Sequence, residues 1–172
     1  MKLNKFSLLF SVVLGLFLAF PAFAQNQTFS DTSVEYTFDL PSATWKMTSK
    51  PSTMSPNVEY TYGDRSAGYL QVRKLTIKND DIMSDVIDEE EEKLKILPGY
   101  VAGKEEVFAG KLRGTVFNFE YIGSGRNMSG RYYFLKANAT TVYVLRFTAQ
   151  KEKLMTIRNQ TDSIARTFEI KK

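Results

Sequence analysis

Carboxylates, amines, guanidinium groups, hydroxyls and phenols are the chemistry open to this chain, because its 172 residues include neither histidine nor cysteine. Their absence removes Ser-His-Asp and Cys-His nucleophiles, thiolate metal sites and any disulfide framework. No Ser-x-x-Lys dyad occurs. Paired carboxylates could still hydrolyse a bond, but Glu105, Glu106 and Glu120 read as ordinary strand and turn acids. Gly123-Ser124-Gly125 begins like a dinucleotide loop. It lacks the third glycine and lies between two predicted strands, so no helix N-terminus follows to receive phosphate. Asp85, Asp88 and the four glutamates at 89–92 form a continuous helical run, whereas calcium loops space their ligands around a glycine turn. The run reads as a solvated helix face, with Glu90 falling close to the apolar stripe as a possible contact point. No catalytic residue, cofactor site or metal site is expected.

What remains is binding chemistry. All nine tyrosines lie beyond residue 24, mostly in predicted strands. Tyrosine suits both sheet packing and protein interfaces. Tyr60, Tyr62, Tyr69 and Tyr132, with Glu90, are the candidate partner-binding residues. Lys151, Lys153, Arg158, Arg166, Lys171 and Lys172 give the C-terminus a basic bias. That bias is too sparse for a nucleic-acid stripe, and leaves a weak attraction to anionic membrane surfaces.

These residues need a scaffold, and the scaffold begins after residue 24. Lys2 and Lys5 precede an apolar stretch at 7–20, and Ala22-Phe23-Ala24 then supplies small residues before Gln25. This is the layout of a secretory signal peptide, too short to span a bilayer. Without a cysteine after it there is no lipoprotein attachment. Cleavage leaves 148 of the 172 residues and lowers the net charge from +4 to +2, since Lys2 and Lys5 depart with the leader. The product is expected to be secreted or periplasmic, with no membrane span. Residues 25–32 read as a flexible lead-in and 33–172 as a single α+β domain.

Within that domain Val34, Tyr36, Phe38 and Leu40 alternate with polar residues, the period of a half-buried strand. Trp45 and Met47 continue as a short segment. Strands at 58–62 and 69–77 flank a loop at 63–68, and the change of apolar face from Leu70 and Val72 to Leu75 and Ile77 predicts a bulge near Arg73. Residues 79–97 are predicted helical, capped by Asp80 and Asp81 and supported by the pairs Glu89 to Lys93 and Glu91 to Lys95. Four strands then follow in a meander, and residues 151–166 form a closing helix with Leu154, Ile157 and Ile164 on one stripe. Tight turns between strands make the sheet antiparallel, and two amphipathic helices must each bury a stripe against it.

Several local features coincide: Phe38-Asp39-Leu40-Pro41 followed by Trp45, a helix ending in Leu97-Pro98-Gly99-Tyr100, Glu105-Glu106-Val107 leading to Gly110, and the strands around Tyr132-Tyr133-Phe134 and Val142-Tyr143-Val144-Leu145. The final helix runs into Arg166-Thr167-Phe168-Glu169-Ile170. In this order and spacing the chain resembles the Mog1/PsbP-like superfamily, especially its bacterial secreted members. The resemblance implies an antiparallel sheet flanked by two helices, a layered sandwich without enzyme activity, and a role in binding or stabilising other proteins. Zinc sites known in some photosynthetic members use histidine and have no counterpart here. The functional expectation is an exported accessory domain that binds a protein partner in the envelope. The alternative is a carrier of an apolar small molecule between sheet and helix.

Overall fold

The computed structural model describes residues 27–52 and 54–171. The predicted signal peptide at 1–24 lies outside the described residues. The chain runs β1 (Gln27–Ser30), β2 (Tyr36–Leu40), β3 (Trp45–Ser49), β4 (Val58–Tyr62), β5 (Asp64–Thr76), α1 (Met83–Glu92), β6 (Val101–Ala109), β7 (Arg113–Gly123), β8 (Arg126–Asn138), β9 (Thr141–Gln150), α2 (Lys151–Thr167) and β10 (Glu169–Ile170). Seven strands form one sheet in the order β3-β4-β5-β9-β8-β7-β6, every neighbouring pair antiparallel. A smaller antiparallel sheet, β1-β2-β10, lies apart from it. The fold is the expected α+β layered sandwich.

Both faces of the long sheet carry a core. On one face α2 and the small sheet bury Phe38, Trp45, Leu70, Leu145, Phe147 and Phe168. On the other, α1 and the turns after it bury Phe117, Phe119, Phe134, Val142 and Val144. This explains the run Val142-Tyr143-Val144-Leu145, which is buried at every position as a strand covered on both sides must be. It also corrects the predicted bulge at Arg73. Pairing of β5 with β9 is unbroken from Tyr69 to Thr76, and Leu70 and Leu75 point to opposite faces because each face has its own core.

The first helix is shorter than the predicted 79–97. Asp81 does not cap it: its Oδ2 accepts from Lys78 N at 2.7 Å, closing a turn before the helix, and Ile82 at the N-cap makes no side-chain cap bond. The other end stops at Glu92 because an acidic run with no basic residue in the last turn opposes the helix dipole. Leu94 N then bonds Glu91 O at 2.7 Å, a tighter i to i−3 spacing. The expected i,i+4 pairs are accordingly replaced by Lys93–Glu90 and Lys95–Glu92, both i,i+3.

Two further differences concern the hairpins. Gln27–Ser30, within the predicted lead-in, is a strand whose Phe29 stacks on Phe38 at 4.9 Å between ring centroids. The loop predicted at 63–68 survives as a wide bulge: Tyr62 pairs with Asp64 while Thr61 pairs with Tyr69. The glycine loop at 123–125 is the expected hairpin turn. Ser124 and Gly125 both have positive φ, 51° and 71°, as a two-residue connection between twisted strands requires.

Candidate binding face on the long sheet

A helix of ten residues is about 15 Å long, whereas a strand of thirteen extends about 43 Å. α1 therefore leaves part of its sheet face bare, and the strands change composition where its cover ends. Along β9 the residues on this face run Val142, Val144, Arg146, Thr148, Gln150, from buried to half-buried. Along β5 they run Leu75, Arg73, Gln71, Tyr69. The register aligns these changes across strands: Glu59, Gln71, Arg146, Tyr132 and Phe117 form one row, and Thr61, Tyr69, Thr148, Gly130 and Phe119 the next.

Arginines and aromatic rings dominate this bare area. The Arg146 guanidinium carbon lies 4.7 Å from the centre of the Tyr132 ring, and that of Arg65 lies 4.2 Å from Tyr69. At these distances the cation is drawn to the ring face and its planar fork is held in place. Tyr132 in turn meets Phe119 edge-on at 4.9 Å. Gly130 keeps this contact possible: a Cβ there would fall 2.0 Å from the Phe119 ring. Burial, with the Glu59 carboxylate beside it, pushes the Tyr69 phenol up to about 12 against the opposing pull of Arg65 and Arg146. Burial likewise raises Tyr132, and Arg146 pulls it back. Beyond Tyr69 a concavity of about 450 Å³ opens between Arg65 and Arg126, walled by Tyr121, Met128, Thr148 and Gln150.

The sequence-predicted residues divide between the two faces. Tyr69, Tyr132 and Glu90 come together on the α1 face, but only Tyr69 is accessible there. Tyr132 is 4% exposed and Glu90 2%. Glu90 lies under the helix, between Arg73 at 3.4 Å and Lys93 at 2.5 Å, so it ties α1 to β5 and presents nothing to solvent. Tyr60 and Tyr62 belong to the opposite face. Tyr60 is buried edge-on against Phe38. Tyr62 is half-buried beside Trp45, and its hydroxyl accepts from Gln160 Nε2 at 3.2 Å. The arginines of the bare area, Arg65, Arg126 and Arg146, were not singled out by sequence reasoning. The switch from valine to arginine within the alternation of β9 was the available signal.

A second hollow, of about 340 Å³, lies on the other face between β6, β7, β8 and α2, with Phe119, Leu154 and Met155 among its walls. Its charges are matched. Buried Arg131 donates from Nη2 to Asp162 Oδ1 at 2.9 Å and from Nη1 to Asn118 Oδ1 at 2.7 Å. Tyr133 donates its hydroxyl proton to the same Asp162 oxygen. Lys151 pairs with Glu120 at 2.7 Å and Arg158 with Glu106 at 3.7 Å. Among the described residues of that basic C-terminus, Lys151, Arg158 and Lys171 are thus engaged by acids or backbone, since Lys171 Nζ donates to Asp31 O at 2.5 Å. Among the described residues no helix is long and apolar enough to cross a membrane, and no three carboxylates gather where they could hold a metal ion.

No protein-family model matches the chain, and no curated protein matches it by sequence. Solved structures do match it by shape. The Ran-binding protein Mog1p of Saccharomyces cerevisiae superposes with a TM-score of 0.63 at 10% identity, over 86% of this chain and 96% of that one. Cyanobacterial PsbP (CyanoP) from Synechocystis gives 0.57 at 15% identity, over 87% and 95%. LpqN of Mycobacterium tuberculosis, involved in cell envelope biogenesis, gives 0.56 at 18% identity, over 86% and 92%. Superposition over nearly the whole of each of these structures shows that this chain has the Mog1/PsbP-like fold.

Proposed function

We propose that the chain is an exported, non-catalytic accessory domain that holds another protein, and that it does so on the bare half of the long sheet. One observation carries this reading: the sheet face beyond α1 presents ring-stacked arginines and half-buried aromatic and amide side chains where a continuous core would otherwise need cover. Aromatic and arginine side chains are the types that dominate protein interfaces. The signal-peptide pattern at 1–24 supports export, and a protein involved in cell envelope biogenesis and a Ran-binding protein of the same fold support an accessory role. A photo-crosslinking residue replacing Tyr69 in the mature protein tests it in the native envelope. A discrete adduct is expected there and none from the same residue at Thr156, which is exposed on α2. Equal labelling at both positions, or none at either, overturns the reading.

The carrier alternative has the hollow beside α2 in its favour, because that hollow lies between sheet and helix. Its ion pairs make it a poor host for a wholly apolar guest. Native mass spectrometry of freshly isolated protein separates the two, since a carrier retains added mass and a docking domain runs at the mass of the bare chain.

A further inference from the structure

We infer that the bare face recognises an acidic segment of its protein partner, through Arg65, Arg126 and Arg146. The inference rests on the docking reading above and names the chemistry of the partner. Four arginines line this face, and Arg73 alone is committed, to Glu90. Among the described residues Arg65, Arg126 and Arg146 form no ion pair within 4.0 Å.

The nearby acids are occupied or turned away. Glu59 accepts from Gln71 Nε2 at 3.0 Å and lies beside the Tyr69 phenol. Asp64, next to Arg65 in sequence, spends Oδ1 on the backbone N–H groups of Ser66 and Ala67 and on the Ser66 hydroxyl. Glu152 shares a neighbouring hollow with Arg126 without pairing to it. The face is left with a surplus of positive charge.

The donors are also unspent. Arg146 Nε is buried and has no hydrogen-bond partner, while its Nη1 reaches only Gln71 Oε1, at a long 3.5 Å. An incoming carboxylate would meet the Nη edge of this guanidinium, since Nε itself is buried. Arg65 and Arg126 stand on two sides of the concavity with Thr148 and Gln150 between them. Stacking on Tyr69 and Tyr132 fixes Arg65 and Arg146, so little side-chain freedom is lost when a carboxylate arrives.

An extended acidic peptide fits this arrangement better than a lipid surface. The cations rise from β5, β9 and the β7–β8 hairpin end, spread across a sheet whose intervening groups include the hydroxyls and amides of Ser66, Ser124, Thr148 and Gln150. A membrane-binding patch would set apolar wedges beside its cations. Ser66, Ser124, Thr148 and Gln150 stand among the cations instead, and the apolar members of the concavity, Tyr121 and Met128, are half-buried in its walls.

The test is fluorescence anisotropy of a labelled hexaglutamate peptide titrated with the mature protein. Hexaglutamine serves as the neutral control, and vesicles of phosphatidylglycerol and phosphatidylethanolamine form a parallel arm. Hexaglutamate is expected to bind, to weaken as salt is raised, and to lose about tenfold in affinity with R65Q/R126Q, both exposed side chains whose loss leaves the core intact. K153Q/R166Q removes the same charge from exposed positions on α2 and is expected to change little. Equal loss in both double variants, vesicle binding without peptide binding, or no binding of hexaglutamate would overturn the inference. Should the Tyr69 crosslink persist while hexaglutamate fails, docking stands and the acidic chemistry falls. Absence of the crosslink from position 69, in a protein otherwise unaltered, removes both.

Discussion

Glu35 shows how one exposed side chain can join three elements and make stability depend on pH. Its carboxylate accepts from Lys74 of β5 and from the Tyr143 hydroxyl of β9, each at 2.5 Å, at the entrance to β2. These two bonds hold its pKa at about 2, below the ordinary 4.5, while burial, and after it the same carboxylate, push the Tyr143 phenol upward. Because the folded pKa is the lower one, the stabilisation is complete above about 4.5 and is lost as pH falls toward about 2. Lys74 and Glu35 are 43% and 45% exposed, so screening limits the gain to roughly 1 kcal/mol. E35Q is therefore expected to flatten the dependence of the urea midpoint on pH across that window while lowering stability only modestly near neutrality. A variant whose acid limb matches the wild type would assign the dependence to other carboxylates. The pattern of Val34, Tyr36, Phe38 and Leu40 revealed the strand, but nothing in the sequence near Glu35 pointed to partners 39 and 108 residues away.

At the scale of the element, α1 is held less by its own propensity than by what lies beneath it. Val86 and Ile87 are buried against the sheet, and Glu90 adds an ion pair to Arg73 on the same side. Arg73 is 30% exposed and can rehydrate when the carboxylate is removed, so E90A is expected to cost about 1–2 kcal/mol, short of the 3–5 kcal/mol typical of a fully buried broken pair. E90M, which fills the space with apolar atoms, is expected to recover most of that loss. Chemical denaturation of the three proteins checks the order, and a methionine variant no better than alanine would make charge, not packing, the whole contribution. The helix was legible from the spacing of its apolar residues. Its end was not, because two local rules conflict there: i,i+4 pairing favours continuing past Glu92, and four successive glutamates at the negative end of the dipole oppose it. The candidate site was hidden for another reason. Arg65 and Tyr69 come from one strand, Arg146 from another and Tyr132 from a third, and only the register places them in adjoining rows. Burial then removed Tyr60, Tyr132 and Glu90 from a surface that composition alone had offered them.

Across the whole molecule the long sheet receives unequal cover, and the small sheet makes the difference. α2 is seventeen residues long and shares its face with β1, β2 and β10, whereas the other side has only the ten residues of α1 and the turns after it, so the exposed area falls on the α1 face. The small sheet depends on β1, the segment that looked dispensable because Phe29 is its only large apolar residue. That one ring is 3% exposed, stacks on Phe38 at 4.9 Å and meets Tyr36 at 5.7 Å. Signal cleavage after Ala24 would leave two residues before β1, enough to keep the strand in the mature protein. A chain starting at Gln25 is accordingly expected to be more stable than one starting at Ser33 by about 3–5 kcal/mol, the cost of emptying a buried phenylalanine site. F29A in the longer chain should reproduce most of that difference, since the β1 backbone bonds lie at a sheet edge and can be replaced by water. Thermal or urea unfolding of the three proteins decides the matter. If the chain starting at Ser33 matched the full mature chain, β1 would be an ornament of the edge, and the small sheet would owe its place to Phe38, Phe168 and Tyr36 alone.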